Sequence, residues 1–228
     1  ADNGAYVLVD WNDLISYNVL ISGSWERQDL SALLSFVPSG STFIDVGANS
    51  GYVSQVASLH VGDKGLVIAI EPNPEVRQRC MDAVAIGGFT NIEVVSCAVG
   101  AFEGKCTLHI SGPQNLGLST CVPDPCDTLS TLEVDCKTVD CIAEELKVSD
   151  VSCIKIDVEG YEHEVLKGSS QVLRRFRPVL MLELIDSMLR RAETSTAVVL
   201  KWLRTEYGYT VVHTSEAHNY ILVSSLNY

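Results

Sequence analysis

Short apolar runs alternate with segments of helical periodicity along most of the chain. Runs of this kind, bounded by turn residues, are typical of buried strands, while apolar positions recurring every three or four residues predict helices. The predicted strands are residues 41–46, 65–72, 91–99, 151–160 and 178–184. The predicted helices are residues 50–60, 74–88, 138–146 and 195–208. This alternation favours an α/β fold, with a mostly parallel sheet and helices on both faces.

The two ends of the chain depart from this alternation. YTVVHT (209–214) and NYILVSS (219–225) predict a hairpin of antiparallel strands at the edge of the sheet. Residues 1–40 precede the first core strand and contain a strand-like AYVLV and a helix-like WERQDLSALLSFV. We therefore expect an N-terminal segment, 1–40, that forms a lid over the cofactor and acceptor site, followed by one catalytic domain, 41–228.

An insert interrupts the alternation at about residues 101–136, where Gly-Pro and Pro-Asp-Pro signal turns. Its flanks, KCTLHI and TLEVDC, are expected to pair as antiparallel strands. No internal repeat and no low-complexity tract accompanies the insert. The pattern therefore predicts a local addition to one domain.

Composition narrows the classes of function. With 228 residues and 46% hydrophobic content, the chain is long enough for one substantial core. A net charge of −13 argues against nucleic acid as the partner, because phosphate binding needs clustered Lys and Arg. No apolar run reaches the roughly 18 residues typical of a membrane span, and no secretory leader is evident, so we expect a cytoplasmic protein away from membranes.

The cysteines change this picture little. The chain has eight, but no CxxC pair and no spacing typical of a zinc ribbon. Several lie in apolar strands or helices, where cysteine behaves as a small hydrophobe. Reduced thiols in a reducing compartment are therefore expected.

Candidate chemistry begins at FIDVGANSGY, residues 43–52. Asp45 ends an apolar strand, and Gly47 and Gly51 permit a tight turn before the next helix, whose first amides point at the same place. The next predicted strand ends at Glu71, where an acid can accept both hydroxyls of a ribose. A nucleoside-containing cofactor fits these two strand ends. The alternative is that Asp45 only caps the following helix and that Glu71 only belongs to a turn.

The form of the loop distinguishes between nucleoside cofactors. The G-x-G-x-x-G pattern of dinucleotide binding lacks its middle glycine here, and Asp45 would repel a pyrophosphate. The same carboxylate suits the ammonium group of S-adenosylmethionine. The charge pattern therefore favours the methyl donor over NAD, with a nucleotide-dependent Rossmann-type oxidoreductase as the alternative.

Five segments together resemble the FkbM-type branch of the class I S-adenosylmethionine-dependent methyltransferases: FIDVGANSG, IAIEPNP, NIEVVSCAVG, IKIDVEGYEHEVLKG and PVLMLEL. The resemblance spans roughly residues 24–185. It implies a Rossmann-like class I methyltransferase fold, with a mostly parallel seven-stranded sheet and a C-terminal antiparallel hairpin. It also implies O-methylation of a hydroxyl or carboxyl group on a sugar, polyketide or other small metabolite, with S-adenosylhomocysteine as product.

The resemblance assigns cofactor contacts position by position. The methionine end, ribose and adenine would be held by loops that follow the first three strands. A weakly matching entry segment contributes Glu26, and Asp157 would lie beside the cofactor. The predicted cofactor-binding residues are Glu26, Asp45, Gly47, Ala48, Asn49, Gly51, Tyr52, Glu71, Pro72, Asn73, Ser96, Cys97, Ala98 and Asp157.

The block IKIDVEGYEHEVLKG delivers charges at the end of a core strand, where burial is costly unless they are paired or used. Methyl transfer needs the acceptor oxygen close to the methyl carbon and a group that removes its proton. The candidates for this catalytic role are Asp157, Glu159, His163 and Glu183. In the insert, Asn115 and Ser119 are expected to contact the acceptor, although both also suit ordinary turns.

Several alternatives stay open at this stage. Glu159, Glu162 and His163 offer ligands that suit a divalent metal, but an acidic first helical turn explains them equally well. The methyl acceptor, the choice between O- and N-methylation and the oligomeric state, a homodimer included, are not readable from the sequence. A module that binds S-adenosylmethionine without turnover is the remaining alternative.

Overall fold

A computed structural model of the chain describes residues 1, 3–8, 14–111, 118–123 and 128–225. The helices in these ranges are α1 Leu14–Ser22, α2 Arg27–Leu34, α3 Tyr52–Val61, α4 Pro74–Gly87, α5 Val139–Glu145, α6 Glu162–Lys167, α7 Ser170–Phe176, α8 Asp186–Leu189 and α9 Thr196–Tyr207. The strands are β1 Thr42–Val46, β2 Leu66–Ile70, β3 Ile92–Val95, β4 Ala98–Val99, β5 Gly104–Ile110, β6 Ser130–Lys137, β7 Cys153–Ile156, β8 Val179–Glu183, β9 Tyr209–Thr214 and β10 Asn219–Ser224.

The main sheet has seven strands in the order β3-β2-β1-β7-β8-β10-β9. The first five strands in this order run parallel, and β10 pairs antiparallel with both β8 and β9. This arrangement confirms the predicted α/β fold with its C-terminal hairpin. The strand order reverses direction between β1 and β7, and such a switch point is where open α/β sheets bind ligands.

The central strands are buried on both faces, as their continuous apolar runs predict. Alternate residues of each strand enter different cores, because side chains of a strand point alternately to the two faces. In β1, Ile44 packs in the core beneath α5, α6, α7 and α9, while Phe43 packs in the core beneath α2 and α3. The helices therefore cover both faces of the sheet.

One predicted strand is divided. The run 91–99 was expected to form a single strand, but β3 stops at Val95 and joins the main sheet, whereas β4 begins at Ala98 and pairs with β6 in a second sheet. The second sheet has the order β4-β6-β5, with β5 and β6 antiparallel. The expected pairing of the insert's flanks is thus confirmed, and residues 112–117 and 124–127 of the insert lie outside the described residues.

The N-terminal segment contacts the body of the domain through polar groups. AYVLV forms no strand over its described part, residues 5–8, and Gln55 of α3 instead exchanges hydrogen bonds with the backbone of Tyr6. On α2, the buried Asp29 accepts hydrogen bonds from Ser215 and Asn219 and lies 2.7 Å from Nε2 of His213. These contacts tie the segment to α3 and the hairpin.

No residue of the segment within the described ranges lines the cleft at the carboxyl edge of the sheet. The lid therefore stays a prediction. Among the described residues, no helix combines the length and apolar character needed to cross a bilayer.

Candidate active site

A glycine turn connects β1 to α3 at the switch point of the sheet. Gly47 and Gly51 adopt left-handed φ angles of 79° and 82°, and Asn49 between them has φ 50°. A Cβ atom on Gly47 would overlap the carbonyl oxygen of Asp157, and one on Gly51 would lie 2.5 Å from Sγ of Cys80. Glycine is therefore required at both positions by the backbone angle and by close packing.

Beside this turn lies a cleft of about 620 Å³, including the part open to solvent. Its walls come from the ends of β1, β2 and β7, the β3–β4 connection and the insert. The lining residues are Val46, Gly47, Asn49, Ile70, Glu71, Pro72, Val76, Cys97, Ala98, Val99, Leu108, Ser119, Thr120, Cys121, Asp157, Val158, Glu159 and Tyr161. The volume falls in the range of small-molecule and cofactor sites.

Glu71 follows β2 and organises the floor of the cleft. It is 6% exposed. Its Oε2 accepts a hydrogen bond from the backbone N–H of Asn49 at 3.0 Å, and its Oε1 accepts one from the N–H of Asn73 at 2.8 Å. Burial raises the pKa of Glu71 to about 7, although both N–H groups act in the opposite direction. One carboxyl group thus holds the two loops that were expected to grip a nucleoside.

Asp45 lies beneath the glycine turn and does not line the cleft. The side chain is 0% exposed, and its Oδ2 accepts a 2.6 Å hydrogen bond from the Ser54 hydroxyl. Burial raises the pKa of Asp45, while the charge of Lys155, 3.9 Å away, and the Ser54 hydroxyl lower it. Because Asp45 does not line the cleft, the expected contact between Asp45 and a cofactor ammonium group stays a prediction.

Asp157 is the carboxylate that enters the cleft after β7. Its Oδ2 accepts a 3.0 Å hydrogen bond from Nζ of Lys155. Burial alone would raise the pKa of Asp157, but the charge of Lys155 and a hydrogen bond with Glu183 outweigh it, so the pKa is lowered. Asp157 is consequently the ionised member of the local carboxyl groups at neutral pH.

Lys155 is a buried cation that the sequence analysis did not identify. It is 5% exposed within the apolar strand β7. Burial opposes its charge, yet Asp157, Asp45 and Glu26 hold the pKa of Lys155 well above its usual range. A charged residue at a core position of an otherwise apolar strand is the signal that would have revealed it.

Two further carboxyl groups beside Asp157 keep their protons more strongly. Burial, followed by the charge of Asp157, raises the pKa of Glu183 to about 10. Burial, followed by Asp157 and Glu162, raises the pKa of Glu159 to about 8. Glu159 adopts a left-handed φ of 58°, and its Oε2 is buried without a hydrogen-bond partner among the described residues. The site therefore combines one ionised carboxylate with two protonated or partly protonated neighbours.

Glu162 and His163 do not join this group. Glu162 is 1% exposed, and its Oε1 accepts hydrogen bonds from the N–H groups of Val158 and Gly160, so it holds the loop after β7. His163 packs edge-on against Trp202, with 5.3 Å between ring centroids, and burial lowers its pKa. Because the helix begins only at Glu162, Glu159 and His163 do not share a helical face as expected.

The three residues considered as metal ligands, Glu159, Glu162 and His163, do not lie around a common point. Within the ranges that the structure describes, the carboxylates able to offer ligand atoms within 4.8 Å of one another are those of Asp157, Glu159 and Glu183. Glu162 is engaged with backbone N–H groups, and His163 lies behind the loop with Nδ1 3.3 Å from the Thr194 hydroxyl. The original trio is therefore not assembled around one point.

Some of the remaining predicted cofactor residues line the cleft and others do not. Ala48, buried beside Cys80 beneath the turn, supports it without lining the cleft, whereas Pro72, Cys97 and Ala98 do line it. Three others lie outside the lining: Asn73 caps α4 by accepting from the N–H of Glu75, Ser96 is exposed, and the Tyr52 hydroxyl accepts hydrogen bonds from Asn3 and from the N–H of Trp25.

Glu26 lies outside the cleft lining, where Nδ2 of Asn219 donates a 3.1 Å hydrogen bond to its Oε1. Burial raises the pKa of Glu26, and the charge of Lys155 lowers it. Glu26 therefore belongs to the charge network around Lys155.

The insert forms one wall of the cleft. Ser119 lines it, and its hydroxyl accepts a 3.1 Å hydrogen bond from Nδ2 of Asn73. Asn115, the other predicted acceptor residue, lies outside the described residues. Thr120 donates to the carbonyl oxygen of Glu159 at 3.0 Å. Thr120, Cys121 and Tyr161 line the cleft without having been predicted, since nothing in their local sequence distinguishes them from turn or core residues.

Comparison with known proteins identifies a matching family and a curated relative. The sequence profile of the family described as methyltransferase FkbM domain matches residues 45–211. A ribosomal RNA large subunit methyltransferase E from Chromohalobacter salexigens is 35% identical over 105 residues, 44% of this chain and 45% of that protein.

Two solved structures are similar in fold. Methyltransferase FkbM from Methylobacillus flagellatus KT has a TM-score of 0.53 and 21% identity, covering 81% of this chain and 43% of that one. Aeropyrum pernix fibrillarin, in complex with S-adenosyl-L-methionine, has a TM-score of 0.51 and 15% identity, covering 86% of this chain and 73% of that one. The chain spans less than half the length of the ribosomal RNA methyltransferase and of the M. flagellatus protein.

Proposed function

Because the chain belongs to the FkbM methyltransferase family, we propose that it transfers a methyl group from S-adenosylmethionine to an oxygen atom of a small molecule. The observation that carries the proposal is the meeting of Glu71, Asp157 and Glu159 in one cleft at the switch point of the sheet. We assign nucleoside binding to Glu71, which follows β2, and proton acceptance to Asp157, which follows β7 on the other side of β1.

The residues present fit S-adenosylmethionine. Gly47 lines the cleft and has no side chain, so a ligand can approach its backbone closely. A carboxylate has about four lone-pair sites. Glu71 uses two of them on Asn49 and Asn73, which leaves two for the hydroxyls of a ribose. Cys97 and Ala98 supply an apolar wall for the adenine.

The charge of Asp157 takes the place first assigned to Asp45. Asp157 lines the cleft and is ionised, whereas Asp45 lies beneath the turn and stabilises Lys155. An ammonium or sulfonium cation in the cleft would therefore meet Asp157 first. When bound, S-adenosylmethionine supplies an electrophilic methyl group and leaves as S-adenosylhomocysteine.

The carboxyl groups around Asp157 suit a hydroxyl acceptor. Asp157, which Lys155 keeps ionised at neutral pH, is the group available to accept the hydroxyl proton. Glu183, which keeps its own proton, donates a hydrogen bond to Asp157 and orients it. The unpartnered Oε2 of Glu159 provides a second acceptor for the substrate. Positioned acid–base groups of this kind typically contribute about 10²–10⁴-fold in rate.

A second acceptor class is ribosomal RNA, named by the Chromohalobacter relative over part of its length. Two observations favour the small molecule. The net charge of the chain is −13, and the acceptor side of the cleft presents carboxyl groups. Phosphate groups of RNA would be repelled there, because nucleic-acid binding normally depends on clustered cations.

A methyl-transfer assay with isotopically labelled S-adenosylmethionine tests the proposal. The acceptors are a panel of hydroxyl- and carboxyl-bearing metabolites, an amine-bearing set and deproteinised ribosomal RNA. Labelled O-methyl product in the first group supports the proposal. Labelling of the amines or of the RNA alone would overturn the acceptor class while leaving the methyl donor in place.

Calorimetric titration separates the donor from the alternatives. We expect S-adenosylmethionine and S-adenosylhomocysteine to bind and NAD not to bind. Binding without methylation of any acceptor would favour a module without turnover, and binding of NAD alone would favour the oxidoreductase alternative.

A further inference from the structure

Two cysteine side chains meet in the wall of the cleft. Sγ of Cys106, on β5, lies 3.4 Å from Sγ of Cys121, which lines the cleft. The segment carrying Cys121 is held against β5, because the backbones of His109 and Thr120 exchange hydrogen bonds at 2.8 and 3.0 Å. The two thiols are thus in contact although 15 residues separate them in the chain.

Their environment differs from that of the other core thiols. Cys80, Cys97 and Cys153 are at most 1% exposed, whereas Cys106 and Cys121 are only partly buried. A small oxidant that enters the cleft therefore reaches Cys121 directly. Cysteine pairs in reducing compartments that form disulfides usually do so transiently, in catalysis or redox sensing.

We propose that Cys106 and Cys121 are a redox-active dithiol, which a peroxide converts to a disulfide that remodels the wall of the cleft. The Cys121 thiolate attacks one peroxide oxygen, the O–O bond breaks, and the sulfenic acid of Cys121 and a hydroxide form; the hydroxide takes up the proton that the Cys121 thiol had released and becomes water. The sulfur of Cys106 then attacks the sulfenic sulfur, the S–O bond breaks, and the departing hydroxide leaves as water with the proton of Cys106. Two electrons pass from the thiols to the peroxide, and a dithiol reductant reverses the change.

The order of the two steps follows from the surroundings of each thiol. The hydrogen bond with Cys121 is the main cause that raises the pKa of Cys106, to about 12, so Cys106 stays protonated at neutral pH. Cys121, which faces the cleft, meets the oxidant, and Cys106 resolves the sulfenic acid from behind.

The disulfide would act on the cleft through Thr120. The Thr120 hydroxyl donates to the carbonyl oxygens of Val158 and Glu159 and accepts from the N–H of Val122, so it joins the Cys121 segment to the loop after Asp157. Drawing two sulfurs from 3.4 Å to the bonded distance of about 2.05 Å shifts this segment. This consequence for cofactor binding rests on the proposed function, whereas the disulfide itself does not.

Peptide mapping tests the dithiol. The purified chain is titrated with hydrogen peroxide, alkylated and digested without reductant, and the free thiols are counted before and after. We expect loss of two thiols per chain, a Cys106–Cys121 cross-linked peptide, and recovery with dithiothreitol. Cys121→Ser and Cys106→Ser should each abolish the cross-link, while Cys141→Ser, which removes a thiol on α5, should leave it unchanged.

Other mapping results contradict the assignment. Cys136 on β6 is the competing partner, because its thiol also hydrogen-bonds Cys106. A Cys106–Cys136 bridge, any other pairing among the eight cysteines, or irreversible oxidation without a bridge would overturn the proposal.

A second readout measures the effect on the cleft. The affinity for S-adenosylhomocysteine should fall by about fivefold or more on oxidation, the lower end of ordinary coupling between linked sites. It should recover with dithiothreitol and stay constant in Cys121→Ser. Equal affinity in both redox states would overturn the remodelling. Failure of both states to bind S-adenosylhomocysteine would instead refute the proposed function and leave the disulfide standing.

Discussion

Replacing Glu183 with glutamine is expected to stabilise the protein at neutral pH. Burial and the neighbouring Asp157 raise the pKa of Glu183 from 4.5 to about 10, so the folded chain holds a proton there that the unfolded chain releases. Glutamine has the shape of the protonated acid and carries N–H donors, so it keeps the hydrogen bond to Asp157. The substitution removes the proton uptake without removing the contact.

The magnitude follows from proton linkage. At pH 7 the side chain of Glu183 is deprotonated in the unfolded chain, because pH 7 lies about 2.5 units above its pKa of 4.5, whereas it stays protonated in the folded chain. Each pH unit is worth about 1.36 kcal/mol, so full coupling gives about 3.4 kcal/mol. Because Glu183 is only partly buried, solvent screening reduces this, and we expect a gain of about 1–3 kcal/mol at pH 7.

The direction of the pKa shift of Glu183 on folding determines how stability depends on pH. A raised folded pKa means that stability is fully present below pH 4.5 and is lost as the pH rises toward 10. Urea denaturation at a series of pH values between 5 and 8 should therefore show the two free energies of unfolding diverging as the pH rises, with Glu183→Gln above the wild type. Glu206→Gln, on the exposed face of α9, is the matched control and should follow the wild type. Parallel curves for Glu183→Gln and the wild type, or a variant that is less stable at pH 7, would refute the assignment of the proton to Glu183.

Three further substitutions test the roles given to the site. Asp157→Asn should lower kcat by about 100-fold while the far-ultraviolet circular dichroism is retained, as expected for loss of a general base; full kcat would end that role. Lys155→Met should move the acid limb of the kcat/KM profile to higher pH by about one unit or more, because Asp157 loses the cation that lowers its pKa. Lys155→Arg, which keeps the cation, should leave the limb in place. An unmoved limb in Lys155→Met would contradict the coupling between Lys155 and Asp157. Glu71→Gln should weaken S-adenosylhomocysteine binding at pH 8 by about 1–3 kcal/mol in calorimetry. Glu75 is an exposed acid at the same loop-to-helix junction, and Glu75→Gln should not weaken binding. Equal losses in both variants would indicate a general charge effect.

The sequence was most informative about features that depend on local hydrophobic periodicity alone, such as the positions of the strands. Mostly apolar runs placed β1, β2, β7 and β8, and the loops that follow β1, β2 and β7 line the cleft. Glu71 could be located because it directly follows such a run. The position of a strand end is a local property, and hydrophobic periodicity is a local signal.

Features that depend on three-dimensional neighbours were not readable. The run 91–99 is mostly apolar and has strand-like composition on both sides of Ser96, so it does not show that Ser96 and Cys97 turn the chain from one sheet into another. Asp45 looked like a ligand residue, but its surroundings include Ser54 on α3 and Lys155 on β7, which arrive from distant parts of the chain. The left-handed conformation of Glu159 likewise broke the helical spacing that had placed it beside His163.

A crystal structure of the chain with S-adenosylhomocysteine is the most direct measurement of whether this cleft is the methyl donor's site. We expect the ribose hydroxyls within about 3 Å of the Glu71 carboxylate, the adenine against Cys97 and Ala98, and the sulfur on the side of Asp157. The ligand in another part of the molecule, or a dinucleotide pyrophosphate bound over the turn at Gly47, would contradict the assignment.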